Sequence, residues 1–254
     1  MTDLDLAELA ARAAGALLLA RFGRPASHVG RKSSATDMVS DADRAAEATV
    51  TELLRRERPD DGLLGEEGSD QAGSSGRRWV VDPLDGTTNF LYGIPQWAVS
   101  VALEDDEGVA VGVVHEPVRG ETFTAARGEG ARLNGEPISI RKPPPLSEAL
   151  LATGFSYDPA TRAAQATTLH HVIPRVRDVR RAGAASLDMS WLAAGRLDGY
   201  YERGLSDWDW AAGRVLVTEA GGALADLEGE PRGLAAAAPA LLPELLDLIR
   251  GARA

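Results

Sequence analysis

The segment from Trp79 to Phe90 constrains the fold of this chain more than any other part of the sequence. Its first residues, Trp79–Val81, form an apolar run of the kind that makes a short buried strand. The run ends abruptly at Asp82-Pro83, and Pro83 together with Gly86 favours a tight turn. We therefore expect a loop to leave a sheet at this point, although an ordinary Asx-rich turn after a core strand is the simpler alternative.

The polar groups of this loop are suited to binding ions of both signs. A tight turn would bring the carboxylates of Asp82 and Asp85 and the carbonyl of Leu84 to one point. Two acidic oxygens and a carbonyl are the ligands that a hard cation such as Mg²⁺ prefers. The amides and hydroxyls that follow, in residues 86–88, suit an anion.

The composition is that of an ordinary globular protein and excludes several classes of function. The 254 residues are 44% hydrophobic and 26% charged, and 38 acidic against 27 basic residues give a net charge of −11. A chain of this size can form one large domain with an ample core. The acidic balance disfavours a nucleic-acid-binding surface, and the absence of cysteine excludes disulfides and thiol nucleophiles.

The N-terminal residues give no indication of a membrane or secretory protein. They carry no basic region in front of an apolar one, and the apolar run Ala13–Ala20 is too short to span a bilayer. We expect a cytoplasmic protein with no membrane association.

Three further groups of acidic residues are candidates for chemistry, and each has a structural alternative. Asp43 follows Ser40 in a capping-box pattern, so it can simply cap a helix that runs to about Arg58. Glu66 and Glu67 lie between two glycines, where a solvated acidic turn is the alternative. Asp209 precedes a helical pattern and can act as its N-terminal cap.

The remaining pattern predicts helices packed on sheets. Apolar spacing predicts helices over Leu4–Phe22, Pro159–Ile173 and 211–220, and alternation predicts an antiparallel meander over 98–140, with a hairpin at Asn134-Gly135. The proline run 143–145 marks a boundary, so we divide the chain into parts 1–145 and 146–254. The last segment, 223–254, reads as one strand and a closing helix from Pro239 to Gly251.

Four segments together resemble the inositol monophosphatase family in order and spacing over residues 32–222. Asp82–Phe90 resembles its metal-binding signature, and Asp37–Asp43 resembles its D-x-V-[ST]-x-x-D motif. Gly65–Glu67 is similar to its G-E-E motif, and Trp208–Gly213 to its W-D-x-A-A-G motif. The resemblance implies an alternating α/β/α/β/α sandwich in which the first part carries most metal ligands and the second completes the active site.

The resemblance also implies a role for each candidate residue. The metal ligands would be Glu66, Glu67, Asp82, Leu84, Asp85 and Asp209, and they would hold about two or three Mg²⁺ ions. The catalytic residues would be Asp43, Thr87 and Glu66, with Asp43 and Thr87 orienting the attacking water. The substrate would contact Asp85, Gly86, Thr87, Thr88, Gly183, Ala185, Glu202 and Asp209, with Lys32 and Ala184 as possible additions.

The implied activity is hydrolysis of a phosphate monoester by direct attack of a metal-activated water, without a phosphoenzyme. Inositol 1-phosphate is the expected substrate, and Li⁺ the expected inhibitor. Histidinol phosphate, fructose 1,6-bisphosphate and 3′-phosphoadenosine phosphate are alternatives, because the usual hydroxyl of the alcohol pocket is replaced by Ala184. The partner would thus be a small phosphorylated polyol or amino alcohol, in a homodimeric enzyme; a regulatory binding protein is the non-enzymatic alternative.

Overall fold

The computed structural model describes residues 1–24, 30–31 and 38–252. Lys32 and Asp37 lie outside the described residues. The helices are α1 (Asp3–Leu19), α2 (Asp41–Glu57), α3 (Thr87–Leu91), α4 (Pro159–Val172), α5 (Ala185–Ala193), α6 (Asp207–Glu219) and α7 (Leu242–Gly251).

The strands form two large sheets and a short ribbon. The ribbon pairs β1 (Gly30–Arg31) with β2 (Met38–Val39). The first large sheet contains β3 (Gly62–Gly65), β4 (Asp70–Gln71), β5 (Arg78–Asp85), β6 (Ala98–Asp105), β7 (Gly108–Glu116), β8 (Glu121–Ala126), β9 (Ala131–Leu133) and β10 (Glu136–Ile138). The second contains β11 (Leu150–Thr153), β12 (Asp178–Arg180), β13 (Gly199–Arg203), β14 (Ala223–Leu227) and β15 (Gly233–Ala237).

The first sheet has the strand order β10-β9-β8-β7-β6-β5-β3-β4. Only β3 and β5 run parallel, and the strands from β5 to β10 form the predicted antiparallel meander. Asn134 and Gly135 both have positive φ, as the two-residue turn between β9 and β10 requires. The second sheet has the order β12-β11-β13-β15-β14 and is mixed.

Helices and sheets alternate in five layers. Helices α1 and α2 pack on one face of the first sheet, and α5 and α6 lie between the two sheets. Helices α4 and α7 cover the outer face of the second sheet. This arrangement confirms the predicted α/β/α/β/α sandwich, because each apolar sheet face is covered by a pair of helices.

The core between the sheets combines residues from both sequence parts, 1–145 and 146–254. It combines Val80 and Ala102 of the first sheet with Met189 of α5, Leu216 of α6 and Tyr200 of β13, all of them almost fully buried. Residues from both parts, 1–145 and 146–254, therefore share one continuous core. The division of the chain into these two parts stays a prediction.

The prediction for the C-terminal segment was wrong in two respects. The segment contains two antiparallel strands, β14 and β15, and α7 begins at Leu242 instead of Pro239. The alanine-rich sequence of β15, Gly233–Ala237, carries no strand signal of its own. It is a strand because it lies, completely buried, between β13 and β14.

No helix in residues 1–24, 30–31 and 38–252 has the length and apolar character needed to cross a membrane.

Candidate active site

A cleft with a volume of about 360 Å³ opens where β5 ends and faces α5, α6 and β13. It falls in the range that small-molecule sites occupy. Most of the predicted site residues line it: Glu66, Asp82, Leu84, Asp85, Gly86, Thr87, Gly183, Ala184, Ala185, Glu202 and Asp209. Segments that are far apart in sequence thus supply a single site.

Three predicted residues lie elsewhere. Asp43 is fully buried behind Thr87 and does not line the cleft. Glu67 lines a separate surface groove beside α2. Thr88 lies outside the lining residues, with its hydroxyl 3.5 Å from the hydroxyl of Tyr157 at the cleft.

A β-bulge in β5 brings Asp82 and Asp85 to the same side of the strand. Residues three apart in a regular strand point to opposite faces. Asp82 pairs with Ser100 of β6, and Asp85 pairs with Ala98, so β5 holds one extra residue between the two pairs. The predicted tight turn is therefore a bulge within a strand, and Pro83 is tolerated there because a bulge leaves a residue outside the ladder.

Thr87 is held by the buried carboxylate that the sequence analysis paired with it. Its hydroxyl lies 2.9 Å from Asp43 Oδ1 and 3.0 Å from the carbonyl oxygen of Leu84. Asp43 Oδ2 accepts hydrogen bonds from the amide and hydroxyl of Ser40, at 2.9 and 2.5 Å. Asp43 therefore both caps α2 and contacts Thr87, so its capping role is compatible with the predicted pairing with Thr87.

Asp85 is fixed by the N-terminus of α5. Its Oδ1 accepts a hydrogen bond from the amide of Ala185 at 3.2 Å. Its Oδ2 accepts from the amide and the hydroxyl of Ser186, at 2.8 and 2.5 Å. A carboxylate at a helix N-terminus is favoured by the unpaired amides and by the helix dipole.

The carboxyl groups of the cleft raise one another's pKa values. Burial raises the pKa of Asp82 well above its usual value, and the charges of Glu66, Asp85 and Asp209 add to the effect. Burial raises the pKa of Asp85 to about 6, against the opposing hydrogen bonds from Ser186. Burial, followed by the charges of Glu66 and Asp85, raises the pKa of Asp209 well above its usual value. Such a group of acids favours either protonation or a bound cation.

The donor set fits a hard divalent cation. All the groups concerned are carboxylate or carbonyl oxygens, as Mg²⁺ requires. Within the described part of the chain, no three Asp, Glu or His side chains already stand in a closed metal-binding arrangement. Two of the carboxylates face backbone amides instead: Asp82 Oδ1 accepts from Leu84 at 2.9 Å, and Asp209 Oδ2 from Ser206 at 2.6 Å. Each retains a second carboxylate oxygen that can contact a cation.

The opposite wall of the cleft carries a second acidic group. Burial raises the pKa of Glu202 to about 7, although the hydroxyl of Tyr200 donates a hydrogen bond to it at 2.8 Å and Arg181 lies nearby. Gly154 makes room for Glu202, because a Cβ at that position would lie 2.0 Å from Glu202 Oε1. Glu202 can therefore exchange a proton near neutral pH and can donate or accept a hydrogen bond.

Several residues of the site carried no signal in the sequence. Ser186 and Arg181 stand beside the predicted Gly183–Ala185 segment, but only their contacts with Asp85 and with the acids of the far wall give them a role. The aromatic residues Phe155 and Tyr157 also line the cleft and belong to no motif analysed above.

Comparison with known proteins finds a matching family, similar sequences and similar structures. The profile of the inositol monophosphatase family matches residues 2–250. The inositol-1-monophosphatase of Rhizobium meliloti is 46% identical over 202 residues, which are 79% of this chain and 76% of that protein. The Nus factor SuhB of Haemophilus influenzae is 37% identical over 254 residues, covering 97% of this chain and 95% of that protein. The crystal structure of the extragenic suppressor protein SuhB from Bartonella henselae has a TM-score of 0.91 and 38% identity, with 97% of each chain covered.

Proposed function

We propose that this chain, which belongs to the inositol monophosphatase family, hydrolyses a small phosphate monoester with the help of Mg²⁺. The family's phosphatase activity and its general dependence on metal ions support the proposal. The observation that carries this proposal is the meeting of Glu66, Asp82, Asp85 and Asp209 in one cleft, next to the Thr87–Asp43 pair.

Glu66, Asp82, Asp85, Asp209 and the carbonyl of Leu84 would hold the metal, with Glu67 as an outer contact. Bound Mg²⁺ would neutralise the phosphate oxygens, lower the pKa of a water molecule and stabilise the departing alkoxide. The mutually raised pKa values of the carboxyl groups support this assignment, since a cation removes the repulsion among them.

Thr87 and Asp43 orient the attacking water. The Thr87 hydroxyl donates its proton to Asp43 Oδ1, so its own oxygen is left to accept a hydrogen bond from water. As the water attacks, its proton passes to Thr87 Oγ1 while the Thr87 proton moves to Asp43 Oδ1. The amides of Gly86 and Thr87, where α3 begins, would hold the phosphate.

We place the alcohol part of the substrate against the far wall, where Gly183, Ala185 and Glu202 would contact it. The hydrogen-bonding capacity of Glu202 near neutral pH supports a polyol or an amino alcohol. Inositol 1-phosphate is our first substrate; histidinol phosphate, fructose 1,6-bisphosphate and 3′-phosphoadenosine phosphate are the alternatives, because Ala184 supplies no hydroxyl.

Phosphate release from a panel of these esters, measured with Mg²⁺ and with EDTA, tests the proposal. We expect Mg²⁺-dependent turnover, inhibition by Li⁺, and about a 100-fold preference for the ester whose hydroxyls pair with the far wall. The Asp82→Asn variant serves as the control and should lose nearly all turnover. A wild-type protein that binds Mg²⁺ but hydrolyses no ester of the panel would contradict the proposal.

A regulatory binding role is the second candidate, and the similarity to a protein named Nus factor SuhB supports it. Such a role predicts that Asp82→Asn abolishes turnover and leaves partner binding intact. We further propose a homodimer, which sedimentation at micromolar concentration would distinguish from a monomer. The exposed apolar side chains of Tyr92 and Ile94 support a contact surface of this kind.

A further inference from the structure

The loop that carries Glu66 and Glu67 is held by hydrogen bonds to its backbone. It follows β3, and Gly65 donates its amide to the carbonyl of Ser69 at 2.6 Å. The amide of Glu66 donates to the carbonyl of Val81 in β5 at 3.2 Å. The amides of Glu67 and Ser69 both donate hydrogen bonds to one side chain of α2.

That side chain is Glu47, whose exposure is only 4%. Its Oε2 accepts from the amide of Glu67 at 2.7 Å, and its Oε1 accepts from the amide of Ser69 at 3.0 Å. A buried carboxylate is costly unless it is hydrogen-bonded, and bonds to an ionised acceptor are about twice as strong as neutral ones. Glu47 therefore fastens the loop to α2 at two points.

Gly65 is part of the same arrangement. A Cβ at Gly65 would lie 2.4 Å from Glu47 Oε2 and 2.7 Å from Glu47 Cδ. The carboxylate cannot move aside without breaking one of its bonds to the loop. A side chain at position 65 is therefore incompatible with the two hydrogen bonds that Glu47 accepts from the loop.

Helix α2 presents Glu47 and Asp43 on one face, because the two residues are four apart. Asp43 contacts Thr87, whereas Glu47 holds the loop of Glu66. The helix thereby fixes the water-orienting pair and one of the metal-binding carboxylates relative to each other.

We infer that Glu47 is a positioning residue that sets the metal affinity of the site by holding the Gly65–Ser69 loop. The inference rests on the proposed function, in which Glu66 is a metal ligand. When glutamine replaces Glu47, one of the two amides, Glu67 or Ser69, faces an NH₂ donor instead of an acceptor, and Glu66 loses its fixed position.

The test compares Glu47→Gln with Glu52→Gln, which changes the same chemistry at an exposed position of the same helix. Isothermal titration calorimetry with Mg²⁺ alone, without substrate, gives the dissociation constant. We expect Glu47→Gln to raise it at least about tenfold, the usual effect of losing a residue that orients a ligand, and Glu52→Gln to leave it unchanged. A lowered unfolding temperature in EDTA with an unchanged dissociation constant would show a merely structural role and overturn the inference.

A second variant keeps the inference testable if Glu47→Gln does not fold. Gly65→Ala should displace the Glu47 carboxylate and raise the Mg²⁺ dissociation constant by a similar factor. Where both variants fold, the double variant should bind Mg²⁺ about as weakly as either single one, because both changes break the same hydrogen bonds between Glu47 and the loop. Fully additive effects would contradict this.

A parallel titration of Glu66→Gln separates the inference from the proposal on which it rests. If Glu66→Gln leaves Mg²⁺ binding unchanged, Glu66 is not a ligand, and both fail. If Glu66→Gln weakens binding and Glu47→Gln does not, only the role of Glu47 is wrong.

Discussion

Ser186 shows how one hydroxyl can tune the ionisation of a carboxylate that we propose as a metal ligand. It donates to Asp85 Oδ2 at 2.5 Å, while its amide donates to the same oxygen at 2.8 Å. These bonds favour the ionised carboxylate and oppose the rise in pKa that burial causes. Replacing the hydroxyl therefore leaves Asp85 in place and makes it harder to ionise.

We expect Ser186→Ala to weaken Mg²⁺ binding about twofold at pH 7. The pKa of Asp85 is about 6, and losing a hydrogen bond that contributes about 1.5 kcal/mol leaves roughly half of the Asp85 carboxyl groups protonated at this pH. The effect should shrink at pH 8.5, where Asp85 is ionised in both proteins. Titration calorimetry at the two pH values measures this. Ser190→Ala is the matched control, because Ser190 donates to the carbonyl of Ser186 and not to Asp85. Equal effects at the two pH values would exclude the ionisation argument.

At the scale of elements, the turn between β5 and α3 tolerates little change. Gly86 has a φ of +92°, in the left-handed region. A Cβ there would also lie 2.9 Å from the carbonyl oxygen of Gln96, which belongs to the backbone and cannot yield easily. Gly93, at the other end of α3, has a φ of +71° and open space around it.

These two glycines give a matched pair of variants. Gly93→Ala should cost about 1 kcal/mol of unfolding free energy from left-handed strain alone and leave turnover unchanged. Gly86→Ala should cost more, about 2–3 kcal/mol, because the clash adds to the strain, and should lower kcat by displacing Thr87. Urea unfolding and steady-state kinetics measure both. Similar losses of stability with normal turnover in both variants would contradict the argument.

The same elements show what a sequence can and cannot predict. The start of α2 and the hairpin at Asn134-Gly135 follow from local chemistry, so both were predicted. The bulge of β5 depends on its register with β6, and the strand β15 on burial between its neighbours, so neither carries a local signal.

The candidate site divides in the same way. Its carboxylates lie in compact motifs that a family resemblance can locate. The contacts that support these carboxylates join residues far apart in sequence, so no compact motif contains them. Glu47 accepts hydrogen bonds from amides 20 and 22 residues away, and Ser186 donates to a carboxylate 101 residues away. Only the folded chain brings such pairs together.

At the scale of the whole molecule, the acidic cleft couples stability to pH and to metal. Asp82 and Asp85 come from the first sheet, whereas Asp209 lies in the first turn of α6 and Glu202 lies in β13 of the second sheet. Repulsion among them therefore acts between the layers of the sandwich. A cation bound to Asp82, Asp85 and Asp209 together would stabilise the whole fold and not only the loops that carry these residues.

The sign of the pH dependence follows from the raised pKa values. A carboxyl group with a higher pKa in the folded than in the unfolded chain binds protons better when folded, so its stabilising contribution is complete below about pH 4 and is lost as the pH rises. For Asp85 the loss runs up to about pH 6, and for Glu202 up to about pH 7. For Asp85 alone, a shift of about two units corresponds to about 3 kcal/mol.

We therefore expect the metal-free protein to lose stability relative to Asp82→Asn as the pH rises from 5 to 8, because the variant removes one of the buried charges. Urea unfolding in EDTA at several pH values measures this difference, and comparison with the variant cancels the titration of distant groups. Saturating Mg²⁺ at pH 8 should reverse the order, since only the wild-type site binds the ion with all its carboxylates. Parallel stability curves in EDTA, or an equal gain from Mg²⁺ in both proteins, would show that the cleft carboxylates neither repel one another nor share a cation.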